Sequence, residues 1–141
     1  MAAEYRGIFP ATAQGMFEAN KAAEEFCIGR NIAQDLTSRV QIVIEELFSN
    51  TVKYGYGGEC DRPVRLRLGA DPNLTLVYED DAQPFDPTAY RTGDPGPTPD
   101  NCHEGKAGIA LLIGLSTSVI YRPRLDGNCL EMIFEEPADD Q

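Results

Sequence analysis

The segment IEELFSNTVKYGY carries the first group of side chains that could do chemistry. At about 100° per residue, Glu46, Asn50 and Lys53 fall together on a narrow strip at the edge of an apolar helical face. A carboxylate and an amide four residues apart at such an edge can orient a water or hydroxyl group and bind Mg²⁺. The same pattern also fits an ordinary solvated helix edge, so the spacing leaves both interpretations open.

Asp80 is the second candidate, at the end of the strand-like segment LTLVYED. Leu74, Leu76 and Tyr78 alternate towards the interior, and Asp80 continues that alternation. A buried carboxylate is costly unless it has a hydrogen-bond donor, and an amino group on a heterocyclic ligand would be one. A turn cap or a basic neighbour would also satisfy Asp80. Phe85, shortly after it, is predicted to be a core anchor.

The third candidate is the start of a helix in the segment HEGKAGIALLIGL. Gly105 and Gly108 bracket this start, where unpaired backbone N–H groups and the positive end of the helix dipole favour anions. Lys106 lies inside the same turn and could add a positive charge beside a phosphate group. Loops often contain such glycines, so this segment indicates an anion site only together with the other two.

The net charge of −11 restricts what the protein can bind. Nucleic-acid binding depends on neutralising phosphates with Lys and Arg, so an acidic chain of this kind is not expected to contact DNA or RNA directly. An acidic domain that holds a polyphosphate needs Mg²⁺ and local cationic or N–H groups to offset repulsion.

The length of 141 residues suits one domain that buries enough surface to fold without a disulfide or metal. The four cysteines lie far apart, with no CxxC pair, and are interpreted as free thiols. There is neither an apolar run of about 20 residues nor a signal-peptide layout. We therefore expect a cytoplasmic protein with no membrane contact.

The elements that must position these residues follow from periodicity and turn signals. Leu36, Val40, Val43, Ile44, Leu47, Thr51 and Tyr54 are predicted to form the core face of the second helix. The predicted core face of the first helix consists of Ala13, Met16, Phe17, Ala23, Phe26 and Cys27. A stretch rich in proline and glycine over about 91–106 is interpreted as a lid loop. The order predicts one α+β domain over residues 1–141, a two-layer sandwich with a mostly antiparallel sheet and helices on one face. The predicted elements are strands at 5–10, 64–68, 74–80, 118–123 and 129–134, and helices at about 12–29, 32–54 and 107–118.

In order and spacing, the three segments resemble the N, G1 and G2 boxes of the Bergerat-type ATPase superfamily, which contains gyrase, heat-shock chaperones, sensor histidine kinases and MutL. The small stand-alone branch of anti-sigma factor serine kinases is the most similar. FPAT, VIEELFSNTVKYGYGG, EDDAQPFDP, GKAGIALLIGL and GNCLEMIF all resemble that branch, and the similarity covers nearly the whole chain. The combination of E-x-x-x-N with D-x-x-x-P-F-D-P is more specific than any single box.

The resemblance implies ATP and Mg²⁺ as cofactors. By this similarity Asn50 would hold Mg²⁺, Glu46 would act as general base, and Asp80 would accept a hydrogen bond from the adenine amino group. Gly105 and Gly108 would close the lid over the phosphates. The implied cofactor-binding set also includes Lys53, Ala82, Phe85 and Lys106. The implied activity is transfer of the γ-phosphoryl group to a serine on an antagonist protein, together with sequestration of a sigma factor, and the protein could be a homodimer.

The sequence departs from the family pattern at three places. Ala82 stands where the G1 box usually has glycine, and its Cβ could crowd the adenine pocket. Lys106 and Ala107 replace a usual Gly-Leu pair, and Tyr54 replaces a common histidine. Phosphoryl transfer depends mainly on positioning, so an altered lid could slow the reaction while leaving binding intact. A regulatory binding module with little or no catalysis is therefore the alternative to an active serine/threonine kinase.

Overall fold

The computed structural model describes residues 4–84 and 114–135. The predicted lid over 91–106 and residues 107–113 of the helix predicted at 107–118 lie outside them, as do Phe85, Gly105, Lys106 and Gly108. None of the helices described in these two ranges is long and apolar enough to cross a bilayer. The elements are β1 (Glu4–Ala11), α1 (Ala13–Gly29), α2 (Gln34–Asn50), a π turn (Thr51–Gly55), β2 (Cys60–Gly69), β3 (Leu74–Asp80), β4 (Ser118–Arg124) and β5 (Gly127–Phe134).

The five strands form one antiparallel sheet in the order β1-β2-β3-β5-β4. On its inner face Leu66 pairs with Tyr78, and Tyr78 pairs with Leu130 across the central strands. These three side chains are at most 4% exposed. Helix α1 packs against β1 and β2, and α2 packs against β3. The predicted α+β sandwich with its antiparallel sheet is confirmed.

Helix α1 lies close to its neighbours because its buried face carries small side chains. It begins where the Thr12 Oγ1 accepts a hydrogen bond from the Gly15 N–H at 2.9 Å, which makes Thr12 the N-cap of the helix. Phe17 is 62% exposed, so its predicted place on the core face is wrong. The buried stripe has a spacing of four residues and consists of Gly15, Ala19, Ala23 and Cys27, of which Ala23 and Cys27 belong to the predicted face.

The helix predicted over 32–54 changes its geometry before it ends. In the π turn the Tyr56 N–H donates to the Thr51 carbonyl at 2.7 Å, five residues back. Because this turn is wider, the next residue on the core face after Thr51 is Gly55 and not Tyr54. Tyr54 is 42% exposed, and its predicted place in the core stripe is wrong.

Strand β5 starts at Gly127, two residues earlier than the predicted strand 129–134. The turn between β4 and β5 is correspondingly confined to residues 125–126. Asn128 therefore belongs to the strand and pairs in register with Asp80 on β3. The early start of β5 brings a polar side chain to the inner face of the sheet.

Gly15 and Gly29 give a matched test of the close packing of α1. A Cβ on Gly15 would run into the carbonyl oxygen of Pro10, whereas a Cβ on Gly29 would have nothing within 4 Å. We expect Gly15→Ala to lower the free energy of unfolding by about 1–3 kcal/mol because the backbone must move. Gly29→Ala should be neutral or slightly stabilising. Urea denaturation of both variants measures the difference, and equal stabilities would contradict the close approach.

Candidate functional site

Asp80 occupies the end of the central strand β3 and is only 6% exposed. Its Oδ1 accepts hydrogen bonds from the Asn128 Nδ2 at 2.9 Å and from the Ala82 N–H at 3.2 Å. Its Oδ2 accepts from the Thr51 Oγ1 at 2.7 Å. A carboxylate offers about four acceptor positions, so within residues 4–84 and 114–135 one at Oδ2 is left for a further donor. The predicted inward orientation of Asp80 is confirmed.

Thr51 connects Asp80 to a second buried hydroxyl group. The Thr51 Oγ1 and the Tyr78 hydroxyl oxygen are 2.6 Å apart, and both side chains are at most 4% exposed. Since the Thr51 proton is donated to Asp80, the Tyr78 hydroxyl must donate to Thr51. Burial raises the pKa of Tyr78 well above its ordinary value, which keeps this donor protonated at neutral pH.

Asn128 contacts Asp80 from β5, the strand that pairs with β3. Besides its bond to Asp80, the Nδ2 donates to the Gln83 carbonyl oxygen at 3.0 Å. Its Oδ1 accepts from the Tyr121 hydroxyl at 2.6 Å. Asn128 is 8% exposed. It therefore fixes both the Asp80 carboxylate and the first residues of the chain that leaves β3.

Asp81 lies on the outer face of the sheet and is held between two arginines. Its Oδ1 is 3.0 Å from the Arg65 Nη1 and 2.9 Å from the Arg124 Nη1. The Arg65 hydrogen bond is the main cause that lowers the pKa of Asp81, and Arg124 acts in the same direction. The Arg124 Nη1 also donates to the Asp80 carbonyl oxygen at 2.7 Å. This group of three side chains, the Asp81 clamp, fixes the backbone at the end of β3.

Two glycines let the backbone pack tightly around the end of β3. A Cβ on Gly127 would run into the Asp80 carbonyl oxygen and lie 3.0 Å from the Asp81 Cα. A Cβ on Gly55 would lie 2.7 Å from the Ala82 Cβ. The methyl group of Ala82, which is 4% exposed, therefore lies against Gly55. The absence of a side chain at Gly55 leaves room for an alanine at the position where the family pattern has glycine.

Glu46 and Asn50 lie one helical turn apart on α2 and are both half-buried. Neither side chain makes a hydrogen bond or ion pair with another residue that the structure describes. Asn50 directly precedes Thr51, so its amide lies at the same end of the fold as Asp80. Lys53 lies in the π turn and is exposed.

The side chains near the end of α2 carry oxygen atoms of the kind that Mg²⁺ prefers as ligands. Within residues 4–84 and 114–135, no three Asp, Glu, His or Cys side chains come together as a metal site. Asn50 offers an amide oxygen ligand, and the Glu46 carboxylate lies one helical turn before it. Mg²⁺ often takes only one or two protein ligands and completes its shell with water and substrate phosphates. The residues fit a magnesium ion that binds together with a phosphate-bearing ligand.

Sequence reasoning found the site carboxylate but not the groups that hold it. It gave no role to Asn128 or Arg124, and it placed Thr51 and Tyr78 in the core as packing residues. The alternation of β5 contains a signal for Asn128, because that residue continues the inward series two positions before Leu130. No comparable signal marks Arg124, which reaches Asp81 across 43 residues of sequence.

An α+β sandwich with a buried carboxylate at the end of a central strand is consistent with a Bergerat-type ATPase domain. The family model described as histidine kinase-like ATPase domain matches residues 9–134, and the chain belongs to this family. A search of the curated proteins finds no match.

Among solved structures, the fold is similar to that of the RsbU and RsbW domains of Rv1364c from Mycobacterium tuberculosis, with a TM-score of 0.65. The two chains are 15% identical, and the match covers 96% of this chain and 34% of the other. This chain thus spans about a third of the length of that solved chain. At this level of identity the likeness shows a shared fold.

The Asp81 clamp predicts a pH dependence of stability. An unperturbed carboxyl titrates near about 3.9 in an unfolded chain, and the arginines lower the pKa of Asp81 in the folded state. The clamp therefore stabilises fully above pH of about 4, and its contribution is lost as the pH falls through the folded-state pKa. Asp81→Asn should lower the free energy of unfolding at pH 7 by about 1 kcal/mol or less, because all three side chains are partly exposed.

Urea denaturation at pH 7, 4 and 3 measures this effect. The difference between wild type and Asp81→Asn should shrink at each step towards acid. Asp61→Asn, which changes an exposed carboxylate on β2, is the matched control and should follow wild type throughout. A difference that stays constant with pH would contradict the ionic nature of the clamp.

Proposed function

We propose that this protein is an ATP-binding regulatory domain of the anti-sigma factor serine kinase type, which phosphorylates a serine or threonine on a partner protein. The observation that supports this most is the 2.7 Å bond between Thr51 and Asp80. It joins the end of the helix that carries Glu46 and Asn50 to the strand that carries the buried carboxylate. An acceptor for a base and oxygen ligands for a metal therefore lie at one end of the domain.

Each candidate residue has a separate task in this proposal. The free acceptor position at the Asp80 Oδ2 takes the amino group of adenine. The Asn50 amide binds Mg²⁺, and the Glu46 carboxylate, one turn away, orients and deprotonates the acceptor hydroxyl. Bound Mg-ATP would supply the phosphoryl group, which passes to the hydroxyl oxygen of the partner as ADP leaves, and Mg²⁺ would offset part of the negative charge of the triphosphate. The proposal assigns Lys53 and Ala82 to the border of this site. The resemblance also implies Phe85, Gly105, Lys106 and Gly108 as nucleotide-binding residues, and these lie outside the described residues.

The partner in this proposal is a regulatory protein, either a sigma factor or an antagonist that carries the phosphorylated serine. The similar solved structure contains an RsbW domain, and the resemblance of the sequence to anti-sigma factor kinases favours a partner of this kind. The net charge of −11 favours a protein partner over direct contact with nucleic acid. The proposal includes no membrane contact, and association of two copies is compatible with it.

A catalytically weak binding module is the second candidate, because Ala82 and Lys106 depart from the family pattern. The packing of the Ala82 methyl group against Gly55 supports a site that accommodates this alanine. The packing therefore favours the active kinase, and phosphoryl transfer to a partner serine distinguishes the two candidates.

Nucleotide binding should raise the melting temperature. Ligand that binds only the folded state stabilises it by RT ln(1 + [L]/Kd), about 2.7 kcal/mol at 100 times Kd. Asp80→Asn should remove most of the shift measured with Mg-ATP, because an amide donor would replace an acceptor facing the adenine amino group. Glu79→Gln, the neighbouring carboxylate on the outer face, is the matched control and should retain the shift. An unchanged melting curve of the wild type at millimolar Mg-ATP would refute the proposal.

Glu46 and Asn50 should separate in their effects. Glu46→Ala should leave ATP affinity within about threefold of wild type while reducing phosphoryl transfer by about 10²–10⁴-fold, as for loss of a general base. Asn50→Ala should weaken the Mg²⁺-dependent part of binding because a metal ligand is lost. Glu45→Ala, which changes the exposed neighbour that bonds Asn20, is the control for both assays. Identical behaviour of the two site variants would show that the assigned roles are wrong.

A further inference from the structure

Asp80 is the end point of a chain of donors that starts in the core. The Tyr78 hydroxyl donates to Thr51, and Thr51 donates to the Asp80 Oδ2, with distances of 2.6 and 2.7 Å. Tyr78 is 2% exposed and Thr51 is 4% exposed, so water has little access to either group. We name these two side chains the Thr51–Tyr78 relay. Packing alone would be served equally well by valine and phenylalanine, so the hydroxyl groups need an explanation.

The two oxygens of Asp80 differ in how they are occupied. Oδ1 takes two donors, the Asn128 amide and the Ala82 N–H. Oδ2 takes only the Thr51 hydroxyl among the described residues and is the oxygen with an acceptor position to spare. The position of Oδ2 thus depends on a single short hydrogen bond from the relay.

We propose that Thr51 and Tyr78 are positioning residues, which aim the Asp80 Oδ2 at the amino group of a 6-aminopurine and so contribute to the choice of adenine over a 6-oxopurine. The proposal rests on the nucleotide site described above. Thr51 donates to Asp80 and leaves that carboxylate an acceptor for the ligand. An amino group is then attracted, and a keto oxygen at the same place is repelled.

The position of Thr51 at the start of the π turn extends its influence to Asn50. Asn50 is the preceding residue and ends α2, so the bond to Asp80 also sets the distance between the base acceptor and the candidate metal ligand. Tyr78 is buried and protonated, and it donates its proton to the Thr51 oxygen. The Thr51 hydroxyl therefore has to direct its own proton to Asp80. A purely structural relay would stabilise the fold without affecting which base is bound.

Paired variants separate positioning from stability. Thr51→Val leaves the buried Tyr78 hydroxyl without its acceptor and should lower the melting temperature by several degrees. The double variant Thr51→Val/Tyr78→Phe also removes the unpaired tyrosine hydroxyl and should regain part of that loss, while the Asp80 Oδ2 still lacks its Thr51 donor. We expect the double variant nevertheless to bind ATP about tenfold more weakly than wild type, measured by calorimetry with Mg²⁺.

Inosine triphosphate, which carries a keto oxygen in place of the amino group, provides the decisive readout. The ratio of ATP to inosine triphosphate affinity should fall at least fivefold in the double variant. A structural role would weaken both nucleotides equally and leave the ratio unchanged, which would overturn the proposal. Thr51→Ser keeps the hydroxyl and should bind ATP within about twofold of wild type. A tenfold loss in folded Thr51→Ser would also overturn it.

The wild type decides the underlying nucleotide site separately. If wild type and Asp80→Asn both fail to bind ATP, the proposed function fails. If wild type binds and the double variant matches it in affinity and ratio, only the positioning role fails.

Discussion

A buried carboxylate that must be hydrogen-bonded is the constraint on which the arrangement of this domain depends. Asp80 is 6% exposed, and an uncompensated charge there would cost several kcal/mol. Its donors come from the π turn, from β5 and from the backbone that follows β3. Satisfying one side chain therefore fixes the end of α2 relative to the sheet, and it places Asn50 at the same end of the fold as the candidate base acceptor. The same hydrogen bonds therefore stabilise the fold and set the geometry of the candidate site.

The consecutive carboxylates of Asp80 and Asp81, at the end of β3, have different kinds of hydrogen-bond partner. The reason is that alternate residues of a strand face opposite sides of the sheet. Asp80 points inward and is held by neutral donors from described residues, which leave an acceptor position for a ligand. Asp81 points outward and is neutralised by Arg65 and Arg124. Arg124 also donates to the Asp80 carbonyl oxygen, so the ion pairs on the outer face fix the backbone of the residue whose side chain is the inner carboxylate.

Much of the fold was predictable, and the errors have identifiable causes. The strands and the Thr12 cap follow from alternation and from local capping chemistry, which need no knowledge of distant residues. Phe17 is misplaced because the N-terminal half of the buried stripe of α1 consists of Gly15 and Ala19, whose low hydrophobicity gives little signal. Tyr54 was misplaced because an even 100° rotation does not allow for a π turn. The regular repeat of about 3.6 residues per turn of an α-helix therefore does not hold at Thr51, where the candidate site begins.

The sequence by itself determined the α+β order, the inward direction of Asp80, and the spacing of Glu46 and Asn50 on one helix edge. All three follow from periodicity within a single element. Only the tertiary structure decided which groups meet Asp80, because Thr51 and Asn128 lie 29 and 48 residues away along the chain. The register of β3 with β5 and the widened turn after Asn50 bring them together. Local patterns give the direction of a side chain, whereas its hydrogen-bond partners are fixed only when separate elements pack around it.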